Sequence, residues 1–98
     1  MTSTPASPAL SVLIVDDEAP ARARLRDLLA DLAGELPNQV IAEAENGLLA
    51  LAALEDHPVD VALVDIRMPR MDGIELARHL AQLEGAPAVI FVTAFDAY

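Results

Sequence analysis

Residues 12–15, 61–64 and 88–92 are short, continuous apolar runs rich in β-branched side chains, the pattern of parallel strands covered on both faces. They predict three central strands. Residues 40–45 alternate instead, with Val40, Ala42 and Ala44 on one side and Ile41, Glu43 and Glu45 on the other, as expected of an edge strand with one wetter face. Between the strands lie helical patterns. Ala21, Leu25, Leu28, Leu29 and Leu32 share one face at helical spacing, Pro20 suits the first turn, and Gly34 and Pro37 end the segment. A second helix is predicted from Gly47 to about Glu55 with Asn46 as its N-cap. A third opens on Asp72, with Glu75 three residues on as in a capping box. Leu76, Ala77, Leu80 and Leu83 are its expected buried stripe, with Arg78 and His79 nearer water.

Strands and helices thus alternate from the first strand to the fourth, which predicts an α/β fold with an open parallel sheet. Right-handed crossovers place the first helix on one sheet face and the other two on the opposite face, with strand order 2-1-3-4. In such sheets the functional crevice lies at the carboxyl ends of the strands where the winding reverses, here between the first and third.

Composition narrows the chemistry. The 98 residues fit one domain, and the net charge of −10 argues against nucleic-acid binding by this chain alone, since phosphate affinity needs a basic face. All six basic residues are arginines and there is no lysine, which excludes Schiff-base and lysine-nucleophile chemistry. The absence of cysteine removes disulfides and thiolate metal sites and suits a reducing cytoplasm. His57 and His79 are too few for a histidine metal cluster. No apolar run reaches membrane-spanning length. Residues 1–9 read as a disordered tail rather than a signal peptide, leaving residues 10–98 as the domain.

The strongest chemical signal is acidic. Asp16, Asp17 and Glu18 close the first strand and Asp65 closes the third, so the predicted topology brings acids distant in sequence into one crevice. At an effective dielectric of about 20, each like-charged pair 4 Å apart costs about 4 kcal/mol, which protonation or a cation must relieve. Oxygen-only donors suit a hard cation, and Mg2+ above others, because it binds through few carboxylates and keeps waters that a phosphate can replace. Glu18 alone is explained by the helix macrodipole.

The segments LIVDDE (13–18), DVALVDIRMPRMDG (60–73) and VIFVTA (89–94) resemble the receiver domain of two-component response regulators, the flavodoxin-like fold typified by CheY. The opening DDEAPARARLRDLL and the ending VTAFDAY are more similar to the LytTR-output subclass, which includes AlgR-like regulators. The resemblance implies that Asp65 accepts a phosphoryl group from a sensor histidine kinase. It further implies that Asp17, Asp65 and the Arg67 backbone carbonyl hold Mg2+, that Asp16 acts through a water, and that Thr93 is the switch hydroxyl. Met68 and Pro69 would shape the loop after Asp65, and Gly73 would let the third helix begin close to it. Arg22, Arg24 and Arg26 could guide an acidic kinase partner or form a solvated face. The result is a signalling phosphoacceptor, not a turnover enzyme, whose transcriptional output would lie in a longer protein.

A complete receiver adds a fifth strand, further helices and a lysine that pairs with the phosphoryl group, so the chain reads as truncated after strand four. The apolar fourth strand would then be an open edge, and the first helix the sole cover of its sheet face, which predicts self-association through that edge. The second helix, with Leu48, Leu49, Leu51 and Leu54, has no clear polar face. The alternative function is accordingly a switch-deficient receiver fragment acting as an oligomerisation or binding module. An aspartyl-phosphate hydrolase ranks last, because the acids on strand one are adjacent rather than spaced and no cap region is present.

Overall fold

The computed structural model describes residues 9–92. Four strands, β1 (Leu10–Val15), β2 (Asn38–Ala44), β3 (Val61–Asp65) and β4 (Ala88–Val92), form one parallel sheet in the order β2-β1-β3-β4. Three helices, α1 (Ala19–Leu32), α2 (Gly47–Asp56) and α3 (Gly73–Ala81), connect them. The predicted α/β topology and strand order are both present.

The core lies between the sheet and the pair α2 and α3. Leu13 and Val15 of β1 and Ala62 and Val64 of β3 are fully buried on this face, against Ala50 and Leu54 of α2 and Leu76 and Leu80 of α3. Burial of one such leucine stabilises the fold by roughly 1.5–3 kcal/mol. Both predicted caps form: the Asn46 side chain accepts from the Leu49 amide at 2.8 Å, and Asp72 from the Glu75 amide at 2.8 Å. Arg78 and His79 are exposed as expected. Leu83 is exposed as well, contrary to the predicted stripe, because α3 ends at Ala81.

On the opposite face α1 packs over β1 and β2. Its expected apolar stripe is only partly used. Ala21, Leu25 and Leu29 are half-buried, whereas Leu28 and Leu32 are 51% and 45% exposed, because among the described residues nothing packs on the outer side of the helix. The helix stops at Leu32, ahead of Gly34 and Pro37, and the Leu32 carbonyl accepts from the Glu35 and Leu36 amides at 2.9 and 2.7 Å. On α2, Leu48 and Leu49 are exposed while Leu54 is buried.

Two strand expectations are corrected. First, β4 lacks the second neighbour that its apolar run alone predicts, and it lies at the edge of the described sheet, as the strand order 2-1-3-4 does predict. Its sole described neighbour is β3, and Ile90 and Phe91 are 51% and 40% exposed. A continuous apolar run identifies a strand but cannot say whether anything lies beyond it. Second, β2 does not alternate evenly. The register passes from Val12 opposite Val40 to Leu13 opposite Ala42, so Ile41 is an extra residue in the ladder. Such a bulge shifts the pleat by one, and Val40 therefore lies on the α1 face while Ala42 and Ala44 face the core.

Candidate phosphoacceptor and metal site

β1 and β3 pair with Val15 opposite Val64, so the residues that follow, Asp16 and Asp65, leave the sheet side by side at its carboxyl end. Carboxylate oxygens of Asp16, Asp17 and Asp65 lie within 4.8 Å of one another. Asp16 is buried, Asp65 half-buried and Asp17 exposed, so the group opens to solvent on one side.

Asp16 is tied from three directions. Its amide donates to the Ala44 carbonyl at 3.0 Å, its Oδ1 accepts from the Glu18 amide at 2.9 Å, and its carbonyl accepts from Arg22 Nη1 at 2.6 Å. Asp65 Oδ1 accepts from the Arg67 amide at 3.2 Å, which places the Arg67 backbone against the cluster. Glu18 stays outside the group and occupies the N-cap position of α1, with Pro20 in the first turn. Thr93 lies outside the described residues.

The electrostatics follow from this crowding. Burial raises the Asp65 carboxyl above the ordinary aspartate range, and the carboxylates of Asp16, Asp17 and Glu18 raise it further, while the hydrogen bond from the Arg67 amide acts in the opposite direction. Three carboxylates with oxygen-only donors fit a hard divalent cation such as Mg2+, which would remove that repulsion.

The loop after Asp65 closes back on it. The Gly73 amide donates to the Ile66 carbonyl at 2.8 Å, and a Cβ at Gly73 would meet the Asp65 carbonyl and lie 2.8 Å from Ile66 Cα. Only glycine permits α3 to start this close. Met68 is buried in the core beneath the loop. Arg70 holds a φ of 71°, the left-handed region that disfavours side-chain-bearing residues.

Of the three α1 arginines expected to face a partner or solvent, two are engaged within the fold. Arg22 Nε lies 3.3 Å from Glu43 Oε1, and Arg26 Nη1 donates to both Glu43 oxygens at 2.7 and 2.8 Å. The i,i+4 spacing of Arg22 and Arg26 carried that signal; Glu43, brought to them by the bulge in β2, did not. Arg24 remains exposed.

Comparison with known proteins agrees with this geometry. Residues 12–98 match the family model described as the response regulator receiver domain. An uncharacterized response regulatory protein of Vibrio cholerae is 49% identical over 88 residues, covering 90% of this chain and 33% of that protein. The positive alginate biosynthesis regulatory protein of Pseudomonas aeruginosa is 45% identical, covering 91% and 35%. The chain thus spans about a third of the length of these curated relatives. Among solved structures, the response regulatory domain of mrkE from Klebsiella pneumoniae superposes with a TM-score of 0.77 at 30% identity, covering 90% of this chain and 70% of that one. The CheY of a CheX-CheY-BeF3-Mg complex from Borrelia burgdorferi does so at 0.76 and 27% identity, covering 88% and 63%. The chain belongs to the response regulator receiver domain family.

Proposed function

We propose that this chain is a Mg2+-dependent phosphoacceptor that takes a phosphoryl group from a sensor histidine kinase onto Asp65 and passes the change to partner contacts. The observation that carries this reading is the convergence of Asp16, Asp17 and Asp65 within 4.8 Å at the carboxyl ends of adjacent strands. In the transfer, an Asp65 carboxylate oxygen attacks phosphorus in line. The P–O bond forms as the P–N bond to the donor histidine breaks, and the bond's electron pair leaves with the imidazole. The protein mainly positions the reactants in such a reaction. Asp17, Asp65 and the Arg67 carbonyl would hold Mg2+, with Asp16 acting through a water. A cation held by these residues would supply charge neutralisation for the transferring phosphoryl oxygens. The Mg2+ named in the Borrelia complex supports the choice of cation.

Thr93 is the proposed switch hydroxyl. The 98 residues hold no lysine, so no lysine ammonium from within them pairs with the phosphoryl group. Hydrolysis of the aspartyl phosphate resets the domain without making it a turnover enzyme. A cytoplasmic setting suits a kinase partner, and among the described residues no helix is long and apolar enough to cross a membrane.

The deciding experiment is intact mass after incubation with Mg2+ and a small-molecule phosphodonor. One phosphoryl group added to the wild type and none to Asp65→Asn supports the assignment. Incorporation that survives Asp65→Asn refutes it.

A second reading, assembly of copies through the β4 edge, is favoured by the exposed Ile90 and Phe91 on a strand with one described neighbour. Sedimentation velocity across a hundredfold concentration range tests it. A sedimentation coefficient that rises with concentration, and no longer rises in Ile90→Lys, supports assembly; a monomer throughout removes it.

A further inference from the structure

We infer that Arg22 is a positioning residue for the acid cluster, holding the peptide plane between Asp16 and Asp17 and thereby setting the direction in which the Asp17 carboxylate leaves the backbone. The inference rests on the Mg2+ site proposed above and goes beyond it, to a side chain outside the cluster.

The Asp16 carbonyl belongs to the peptide that joins the two acids, so whatever grips that oxygen restrains the Cα of Asp17. Arg22 grips it at 2.6 Å through Nη1. The same planar guanidinium presents Nε to Glu43 Oε1 at 3.3 Å, and its side chain is only 19% exposed. One rigid fork therefore spans two acceptors, which a lysine ammonium on a flexible stem cannot reproduce. Glu43 is fixed in turn by both contacts from Arg26 Nη1, at 2.7 and 2.8 Å. A chain of contacts thus runs from α1 through β2 to the one loop that supplies two of the three clustered carboxylates. Asp16 has its amide on Ala44 and its Oδ1 on the Glu18 amide, so Arg22 supplies the remaining restraint, on the carbonyl.

Position and charge make opposite predictions here. Arginine is a cation beside a cation site, so if its charge mattered most, removing it would tighten Mg2+ binding. If its grip on the Asp16 carbonyl matters most, removing it weakens binding.

The test is Mg2+ titration calorimetry on the 98-residue chain for wild type, Arg22→Met, Arg22→Lys and Arg24→Met, with amide hydrogen exchange at Glu18 read in the absence of metal. Expected are dissociation constants raised about tenfold in both Arg22 variants, as for other residues that orient metal ligands. Exchange at Glu18 is expected to quicken in both, and Arg24→Met, which removes the same charge from an exposed position, should match the wild type. Equal or tighter binding in Arg22→Met or Arg22→Lys overturns the role of Arg22, and loss of fold in the methionine variant leaves the lysine variant to decide. A wild type that binds no Mg2+ overturns the phosphoacceptor reading instead. Glu18 exchange in the metal-free chain then judges the grip by itself: unchanged in Arg22→Lys, it removes it, and quickened, it upholds it.

Discussion

Glu43 stands opposite Ile14 on the α1 face of the sheet because Ile41 is an extra residue in β2. In an even ladder continued from the Val12–Val40 pair, Glu43 would fall opposite Val15, on the face that packs against α2 and α3. There its charge would be buried without a partner, at a cost of several kcal/mol. The bulge turns it instead toward Arg22 and Arg26. Glu43→Ala would leave two guanidiniums facing each other, and the expected loss is about 1 kcal/mol, shrinking at high salt because the group is partly solvated. Urea unfolding at 0.05 and at about 1 M NaCl checks this; equal losses at both ionic strengths would assign the effect to packing.

Gly73 presses on the backbone of Asp65 and Ile66, and a methyl group there has no side chain to displace. At an exposed first helical position, glycine to alanine gains up to about 1 kcal/mol from helix propensity. Here the sign reverses. Gly73→Ala is expected to destabilise the chain by about 1–3 kcal/mol through overpacking, lowering the unfolding midpoint by at least ~4 °C. It should also weaken Mg2+ binding, because α3 can relieve the clash only by pushing Asp65. A midpoint equal to or above the wild type would contradict the close approach.

Element identity was legible from residues because it depends on local periodicity and caps: Asn46 and Asp72 announce their helices, and 12–15 and 61–64 their strands. The approach of Asp16, Asp17 and Asp65 was legible too, since parallel pairing carries the ends of neighbouring strands to one side. Features that depend on a third element were not. Nothing in the alternation of 40–45 marks Ile41 as the extra residue, since both the even and the bulged strand bury an alanine. Arg22 looked like any solvated arginine until β2 delivered Glu43. By contrast, the exposure of Ile90 and Phe91 follows from the strand order, which leaves β4 at the edge of the described sheet, and not from the apolar run of β4 itself.

At the amino end of the sheet, Ser11 and Asp60, 49 residues apart in sequence, clasp the starts of β1 and β3. Ser11 amide and Oγ donate to Asp60 Oδ2 at 2.9 and 3.1 Å, and the Asp60 amide donates to Ser11 Oγ at 2.9 Å. The Asp60 carbonyl also accepts from the Ala88 amide at 3.0 Å, which ties the start of β4 to the same point. Ser11→Ala removes the hydroxyl and should cost about 1 kcal/mol, with faster amide exchange at Asp60 and Ala88. Phosphoryl uptake at the opposite end should be unchanged. A variant that loses uptake while remaining folded would show that the two ends of the sheet are coupled.

The raised Asp65 carboxyl makes stability depend on pH in a fixed direction. Its protonated form is favoured in the folded chain relative to the unfolded one, whose aspartate titrates near the ordinary value of 3.8. The folded state therefore binds more protons than the unfolded state between that value and the raised one. Linkage then makes stability fall as pH rises through this window. Above it, the metal-free chain carries a constant penalty from a carboxylate held among carboxylates. Asp65→Asn resembles the protonated form and keeps an oxygen to accept the Arg67 amide. It is expected to raise the metal-free unfolding midpoint at pH 7, and the gain should fade on acidification and vanish below the ordinary aspartate range. Saturating Mg2+ should reverse the order, stabilising the wild type through its folded-state binding while leaving Asp65→Asn nearly unmoved. Thermal unfolding of both chains from pH 3 to 8, with Mg2+ and with EDTA, reads all of this at once. A midpoint difference that is independent of pH would show that Asp65 acts on stability through packing and not through its charge.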